Sequence, residues 1–229
     1  MKRKPYMLIC ILTLILLVGT GLVFSGFEAQ SQEDQAAYEA MLEALDAQMN
    51  VGVIPASDLT KEMSKRNASS DAQLNEAISQ AGAQTEEDYG NKLSGDLAEK
   101  YQEKHEQLMD VKSLETDVSV GAGILSPNLI NVQDVSETEK KLKISYVNWL
   151  CAVEPVNGKY EVVLIFNRDT GVGNACLEDG EWKLVNTDGD GYIKEFYPAS
   201  YDPVAGTFDT FQEAAAFAAA IDVKEKNPF

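Results

Sequence analysis

The chain has 229 residues, with 37 Asp and Glu against 19 Lys and Arg, for a formal net charge of −18. Its 45% hydrophobic and 24% charged content is ordinary for a globular protein and excludes wholesale disorder. So acidic a surface repels phosphate backbones and anionic headgroups, so nucleic acid is not an expected partner.

The N-terminus departs from that balance. Lys2, Arg3 and Lys4 precede an uncharged run, Tyr6 to Phe24, in which fifteen of 19 residues are apolar. At about 1.5 Å per residue such a helix spans roughly 28 Å, close to the hydrocarbon thickness of a bilayer. With the cations before it, the positive-inside rule keeps residues 1–5 cytoplasmic and sends the rest across. Residues 6–24 therefore read as a transmembrane anchor or a signal segment. Cleavage after Val23-Phe24-Ser25 is the alternative and would release a secreted protein, whereas Phe27-Glu28-Ala29 puts a bulky residue where a small one is wanted. Cys10 reads as an apolar membrane residue. Setting aside the three N-terminal cations leaves 16 basic residues against 37 acidic, so the outer part carries about −21. It is long enough for one domain with its own core.

Residues 27–116 read as helical. Ser31 with Asp34 suggests a helix start, and Tyr38, Met41, Leu42, Leu45 and Met49 recur at helical spacing until Gly52 and Pro55. Shorter helices follow over 57–66 and 71–81, separated by Asn67-Ala68-Ser69-Ser70. A longer pattern over 85–114 carries Tyr89, Leu93, Leu97, Tyr101, Leu108 and Val111, with Gly90 and Gly95 weakening its start. His105 lies among charged neighbours there and reads as a solvated surface residue.

Near Asp117 the period becomes alternating. Strands are expected at 129–132, through 142–153, at 160–166, 172–178 and 181–185, with a last one at 192–197. Asn157-Gly158 and Asp179-Gly180 are hairpin turn signals, and the second places Leu177 opposite Trp182 and Ala175 opposite Leu184. Gly121-Ala122-Gly123 and Gly171-Val172-Gly173 read as turns. Thr210 to Asp222 is an alanine-rich helix, capped by Asp209 or Thr210, with Phe211, Ala214, Ala215, Ala218 and Ile221 on a narrow face. The fold class is α+β: an N-terminal membrane helix, a helical first half, an antiparallel meander of four to six strands and a C-terminal helix. Residues 117–229 are expected to pack with the helical region as one domain.

Candidate chemistry is sparse. With His105 the single histidine, no Gly-x-Ser-x-Gly elbow, Cys-x-x-Cys pair, His-Glu-x-x-His or phosphate-cradling loop occurs. Cys151 and Cys176 are the cysteines beyond the apolar run, and an oxidising compartment favours a disulfide between them. It would close a loop of about 25 residues and add roughly 3 kcal/mol. If the strands pair in simple order the two would lie two strands apart, so the bond needs another strand order or a bulge. Unpaired buried thiols, or ligation of a metal together with His105, are the alternatives. Asn186-Thr187-Asp188-Gly189-Asp190-Gly191-Tyr192-Ile193 resembles the first eight positions of a helix-loop-helix calcium loop, with donors at Asn186, Asp188 and Asp190. Tyr197 stands where the bidentate carboxylate belongs, and an Asp/Gly turn is the competing reading. Apart from that calcium candidate no cofactor is expected.

From Lys143 to Asn186 the order is a Lys-Ile-Ser-Tyr-Val strand, the Asn157-Gly158 turn, a Tyr-Glu-Val-Val-Leu-Ile-Phe strand, and Asp179-Gly-Glu-Trp-Lys-Leu-Val. This stretch resembles the closing strands of extracytoplasmic domains with the nuclear-transport-factor-two-like cone fold. The resemblance implies a curved antiparallel sheet, a concave pocket between sheet and helices, and relatives among envelope and secretion-system scaffold subunits behind a single membrane helix. The chain continues about 40 residues beyond that stretch. The functional expectation is a membrane-anchored extracytoplasmic scaffold, sensor or binding domain of a bacterial-type envelope, with a protein partner and no catalysis. The alternatives are an envelope carboxylate hydrolase and a calcium-stabilised surface module.

Overall fold

Ser31 opens the first helix, its Oγ accepting from the Asp34 N–H at 3.0 Å. The computed structural model describes residues 31–90, 93, 95–186 and 204–229. The expected cytoplasmic stub, the apolar run at 6–24 and the expected strand at 192–197 lie outside the described residues. Among those described, no helix is long and apolar enough to cross a membrane. The chain divides into two units, Met1–Gln35 and Ala36–Phe229.

Helix α1 (Gln32–Met49) buries Ala37, Met41, Ala44, Leu45 and Ala47. Helix α2 (Ala56–Arg66) ends at Asn67, which takes the left-handed conformation with φ 49°. Helix α3 (Asp71–Gly90) runs nine residues beyond the end expected at Ala81. Gly82 does not stop it, because its missing side chain has a packing use. A Cβ there would stand 2.1 Å from the Met109 Cε at the end of helix α4 (Asp96–Met109). Helix α3 ends at Gly90, and α4 starts at Asp96, preceded by Gly95 with φ +56°.

The sheet is built from three long strands, β1 (Val118–Ser136), β2 (Glu139–Val156) and β3 (Lys159–Glu178), followed by β4 (Glu181–Asn186) and β5 (Val204–Phe208). The order is β1-β2-β3-β4, all antiparallel, and β5 pairs with the other end of β3. Both hairpin signals hold. Asn157-Gly158 and Asp179-Gly180 have positive φ at both central residues, and Leu177 faces Trp182 while Ala175 faces Leu184. The strands expected at 160–166 and 172–178 are one continuous strand of 20 residues. The Gly171 and Gly121 segments are therefore strand interiors, not turns. At Gly173 a Cβ would meet the Leu184 Cδ1 at 2.8 Å and the Met41 Cε at 3.4 Å, so the bare backbone gives α1 its seat on the sheet.

All 18 residues of β2 pair with β3 without a register shift. Side chains alternate strictly along such a ladder. Tyr146 and Val147 are neighbours and both buried, yet they enter different cores. On one face Leu142, Ile144, Tyr146 and Ala175 pack with α1 and with Leu97 and Tyr101 of α4. On the other, Val147, Val153, Val162, Leu164 and Phe166 pack with α2, α3 and helix α5 (Phe211–Ala220). Removing a fully buried ring such as Phe166 would cost about 3–5 kcal/mol. Helix α5 starts on a reciprocal capping box: the Thr210 Oγ1 accepts from the Glu213 N–H at 3.3 Å, and the Thr210 N–H donates to the Glu213 Oε2 at 3.2 Å. A short helix α6 (Val223–Lys226) follows, capped by Asp222.

The expected disulfide is not formed, since Cys151 and Cys176 are both free thiols. Cys151 pairs across to Leu164, whereas Cys176 pairs across to Glu139. That register sets them twelve positions apart along β2, roughly 40 Å of strand at about 3.3 Å per residue. A disulfide needs Cα atoms within about 7 Å. The unbroken course of β3 sets this distance, and no bulge on β2 or β3 relieves it. Alkylation of the denatured protein without reductant should therefore add three groups, one for each cysteine of the chain. Addition of a single group, rising to three after reduction, would restore the disulfide.

Candidate functional site

Trp149 lines a concavity between β1, the start of α2 and the end of α5. It lies on β2 opposite Gly123, and Gly121 lies opposite Cys151 two positions on. A Cβ at Gly121 would stand 2.9 Å from the Trp149 Cζ3, and one at Gly123 would stand 3.1 Å from its Nε1. The indole therefore lies across β1 on two residues that present no side chain. Glycine at both positions is what this close approach requires. The cavity above it is about 250 Å³. Pro55, Ala56 and Ser57 at the start of α2 form one wall; Ala218, Ala219, Ile221 and Val223 form another; Asn50, Tyr89 and Cys151 complete it. A second concavity of about 530 Å³ shares Trp149, Ile221 and Val223 and extends past Leu125 to Asp222 and Lys224. The two make one groove with an aromatic floor.

The polar groups of this groove are few. Asn50 is buried, and its Nδ2 donates to the Asp46 carbonyl at 2.8 Å. Burial pushes the Cys151 thiol up to about 12, so it is protonated at neutral pH and a poor nucleophile. Burial also raises the Tyr89 phenol, with added effect from the Asp46, Asp88 and Asp58 carboxylates. The Asp46 Oδ1 lies 3.4 Å from the position of a Cβ at Gly123, on the Trp149 side of β1.

His105 is not a surface residue. It is 1% exposed, stacked on Tyr101 with ring centroids 5.7 Å apart, and its Nδ1 is 3.8 Å from the Glu86 Oε2 of α3. Among the described residues neither ring nitrogen nor the Tyr101 hydroxyl has a hydrogen-bond partner. The charged neighbours Glu103, Lys104 and Glu106 misled the sequence reading because they point elsewhere on the same helix, while position 105 follows Leu97 and Tyr101 at four-residue intervals. A cavity of about 600 Å³ beside it is lined by Glu86, Glu87, Gly90, Leu93 and Tyr101. His105 and Cys151 do not share a site, so they do not form a nucleophile–base pair.

Other buried charges are held structurally. The Lys140 Nζ is 2.6 Å from the Asp134 Oδ1 and lies over the Trp182 ring at 5.6 Å. Asp169 accepts a hydrogen bond from the Asn148 Nδ2. Among the described residues no group of three or more His, Cys, Asp or Glu is placed to hold a metal. Of the calcium candidates, Asn186 is the last residue of β4, opposite Asn174; Asp188 and Asp190 lie outside the described residues.

Burial lowers the affinity of His105 for a proton, opposed by Glu86 and then Glu106. The unfolded chain then binds the proton more readily than the folded one. The contribution is sign-definite: stability is unaffected above the unfolded value near 6.5 and falls as pH drops below it. His105→Phe keeps the stack on Tyr101 without the titration. The difference in thermal midpoint, wild type minus variant, should be constant from pH 8 to about 7 and become steadily more negative from about pH 6.5 downward. A pH-independent difference would remove His105 from the acid response.

No family model matches this chain, and no curated protein matches it. Among solved structures, the crystal structure of the intermembrane space region of chloroplast protein ARC6 aligns over 41% of this chain and 68% of its own, at 13% identity and a TM-score of 0.29. A likeness at that level carries no argument about fold or function.

Proposed function

We propose that this chain is a non-catalytic binding module, tethered by residues 6–24 and presenting Ala36–Phe229 on the extracytoplasmic side of an envelope to a protein partner. The observation that carries the reading is the groove floored by Trp149. Its lining is an indole, small apolar side chains and a few amide and hydroxyl groups, which is the chemistry of recognition. The groups that could do more are poorly placed for it. The groove thiol is held protonated by burial, and the histidine is stacked elsewhere against Tyr101. The tether rests on sequence: three cations followed by 19 uncharged residues.

Two measurements test this together in the cells that make the protein. The full-length chain should sediment with membranes, and protease added outside spheroplasts should digest the outer unit. A photocrosslinker at Ala219 in the groove should give a discrete higher-mass adduct, and the same group at the exposed Ala216 should not. Recovery of the intact chain in the cytosol would end the tethered reading. Equal or absent adducts at the two positions would end the groove as the binding face.

A further inference from the structure

We propose that α4 is an acid-released helix: protonation of His105 frees α4 from α3 and β4 while the β2–β3 ladder stays folded. This goes beyond the binding reading above and does not rest on it.

The seat of α4 is narrow and imperfect. Its buried positions are Leu97, Tyr101 and His105, spaced along one face, and α3 and β4 pack against the helix. At its C-terminal end Met109 fills the space beside Gly82, and Leu108 that beside Gly52. Two of the three buried residues carry polar atoms that go unmet: among the described residues both His105 nitrogens and the Tyr101 hydroxyl lack a hydrogen-bond partner. Such groups lose their hydration and gain no bond, so they hold the helix more weakly than apolar side chains of their size would. The cavity of about 600 Å³ lined by Glu86, Gly90, Ala98 and Tyr101 opens between the two helices beside them.

An imidazolium at this seat would find little to balance it. From α3 comes Glu86, whose Oε2 is 3.8 Å from the His105 Nδ1, beyond hydrogen-bond reach and 32% exposed. On α4 itself Tyr101 is the stacked neighbour, while Glu106, Lys100 and Lys104 are exposed. Strand β4 turns Trp182 and Leu184 to this core, so Glu181 and Lys183 alternate away from it. The titratable groups that α1, α3 and β2 add to the same core are the phenols of Tyr38, Tyr89 and Tyr146, which burial raises further above neutrality. The rest of the sheet does not need the helix: β2 is paired with β3 at all 18 positions, and the core on the other face is built on α2, α3 and α5, with Met109 of α4 at its margin. A released α4 has a solvated imidazole that takes its proton near the ordinary value, and the seated one resists it. The released population therefore rises by up to about tenfold for each pH unit below about 6.5.

The test is amide hydrogen exchange of the full-length chain in zwitterionic nanodiscs, read by mass spectrometry on peptides from α4 and from β2 and corrected for the intrinsic rate at each pH. At about pH 7.5 the α4 amides should be protected roughly a hundredfold or more, and at about pH 5 that protection should fall by about tenfold or more, while β2 amides stay protected about a thousandfold. In His105→Phe, which keeps the stack on Tyr101, the α4 protection should be the same at both pH values within about twofold. Glu86→Gln, which removes the nearest offsetting charge, should deepen the fall at pH 5. Unchanged protection of α4 at pH 5 overturns the proposal. So does loss of α4 and β2 protection together at one common level, which marks a single global opening, and so does a fall that persists in His105→Phe. If His105→Phe does not fold, Glu86→Gln decides: a deeper fall supports the release of α4, and an unchanged one overturns it.

Discussion

The ladder between β2 and β3 is the constraint on which the rest depends. Every residue of β2 is paired, from Glu139 opposite Cys176 to Val156 opposite Lys159, with no bulge to reset the alternation. The Asn157-Gly158 turn fixes this register, since both residues hold the positive φ that a two-residue hairpin requires. A slip of one position would exchange the faces of every side chain on β2. The exchange would be costly here, because the strand buries Leu142, Ile144 and Tyr146 on one face and Val147, Cys151 and Val153 on the other. The sheet is thereby committed to helices on both faces, α1 and α4 on one and α2, α3 and α5 on the other.

The groove is a consequence of that commitment. Trp149 falls on the face that carries α2 and α5, at the margin of their core, where β1 is the neighbouring strand. Unlike β3, strand β1 is irregular, with register shifts at 119/121, 125/128, 129/131 and 134/136. Such bulges twist an edge strand and discourage another chain from pairing along it. They also leave Gly121 and Gly123 in a regular stretch between two shifts, with the Trp149 ring against them. The edge strand that discourages strand addition thus also carries the two bare positions beneath the indole.

What could be read from the sequence was what local chemistry decides. The two hairpin turns, the cap at Thr210, the buried face of α5 and the start of α1 each depend on residues within four positions of one another, and the α+β class with helices first follows from the change of period near 117. The errors share a different cause. Glycine in a strand and glycine in a turn look alike until the partner is known, and here the partners are Trp149 and Met41, both distant in sequence. Gly82, just past the helix end expected at 81, is explained in the same way, because Met109 lies 27 residues on. The spacing of Cys151 and Cys176 said how long a loop a disulfide would close, but nothing of the register that holds them apart. A concave pocket between sheet and helices was implied by the resemblance, but none of the groove's residues was singled out, although glycines at 121 and 123 on an alternating segment were a visible sign of it.

Helix α3 ties the two polar sites of the molecule together. Its middle residues, Leu74, Ala77, Ile78 and Ala81, belong to the core beneath Phe166, while its last turns leave that core for α4. Glu86 faces His105 there, and Tyr89, three residues on, lines the groove. Residues three apart lie on neighbouring parts of one helical surface, so neither can shift without the other. Among the described residues the buried imidazole has no hydrogen bond to lose, and protonation would bring a charge into an apolar stack that only Glu86, 3.8 Å away, and then Glu106 offset. The α3–α4 contact thus carries the cost of that proton, three residues before the tyrosine that lines the groove.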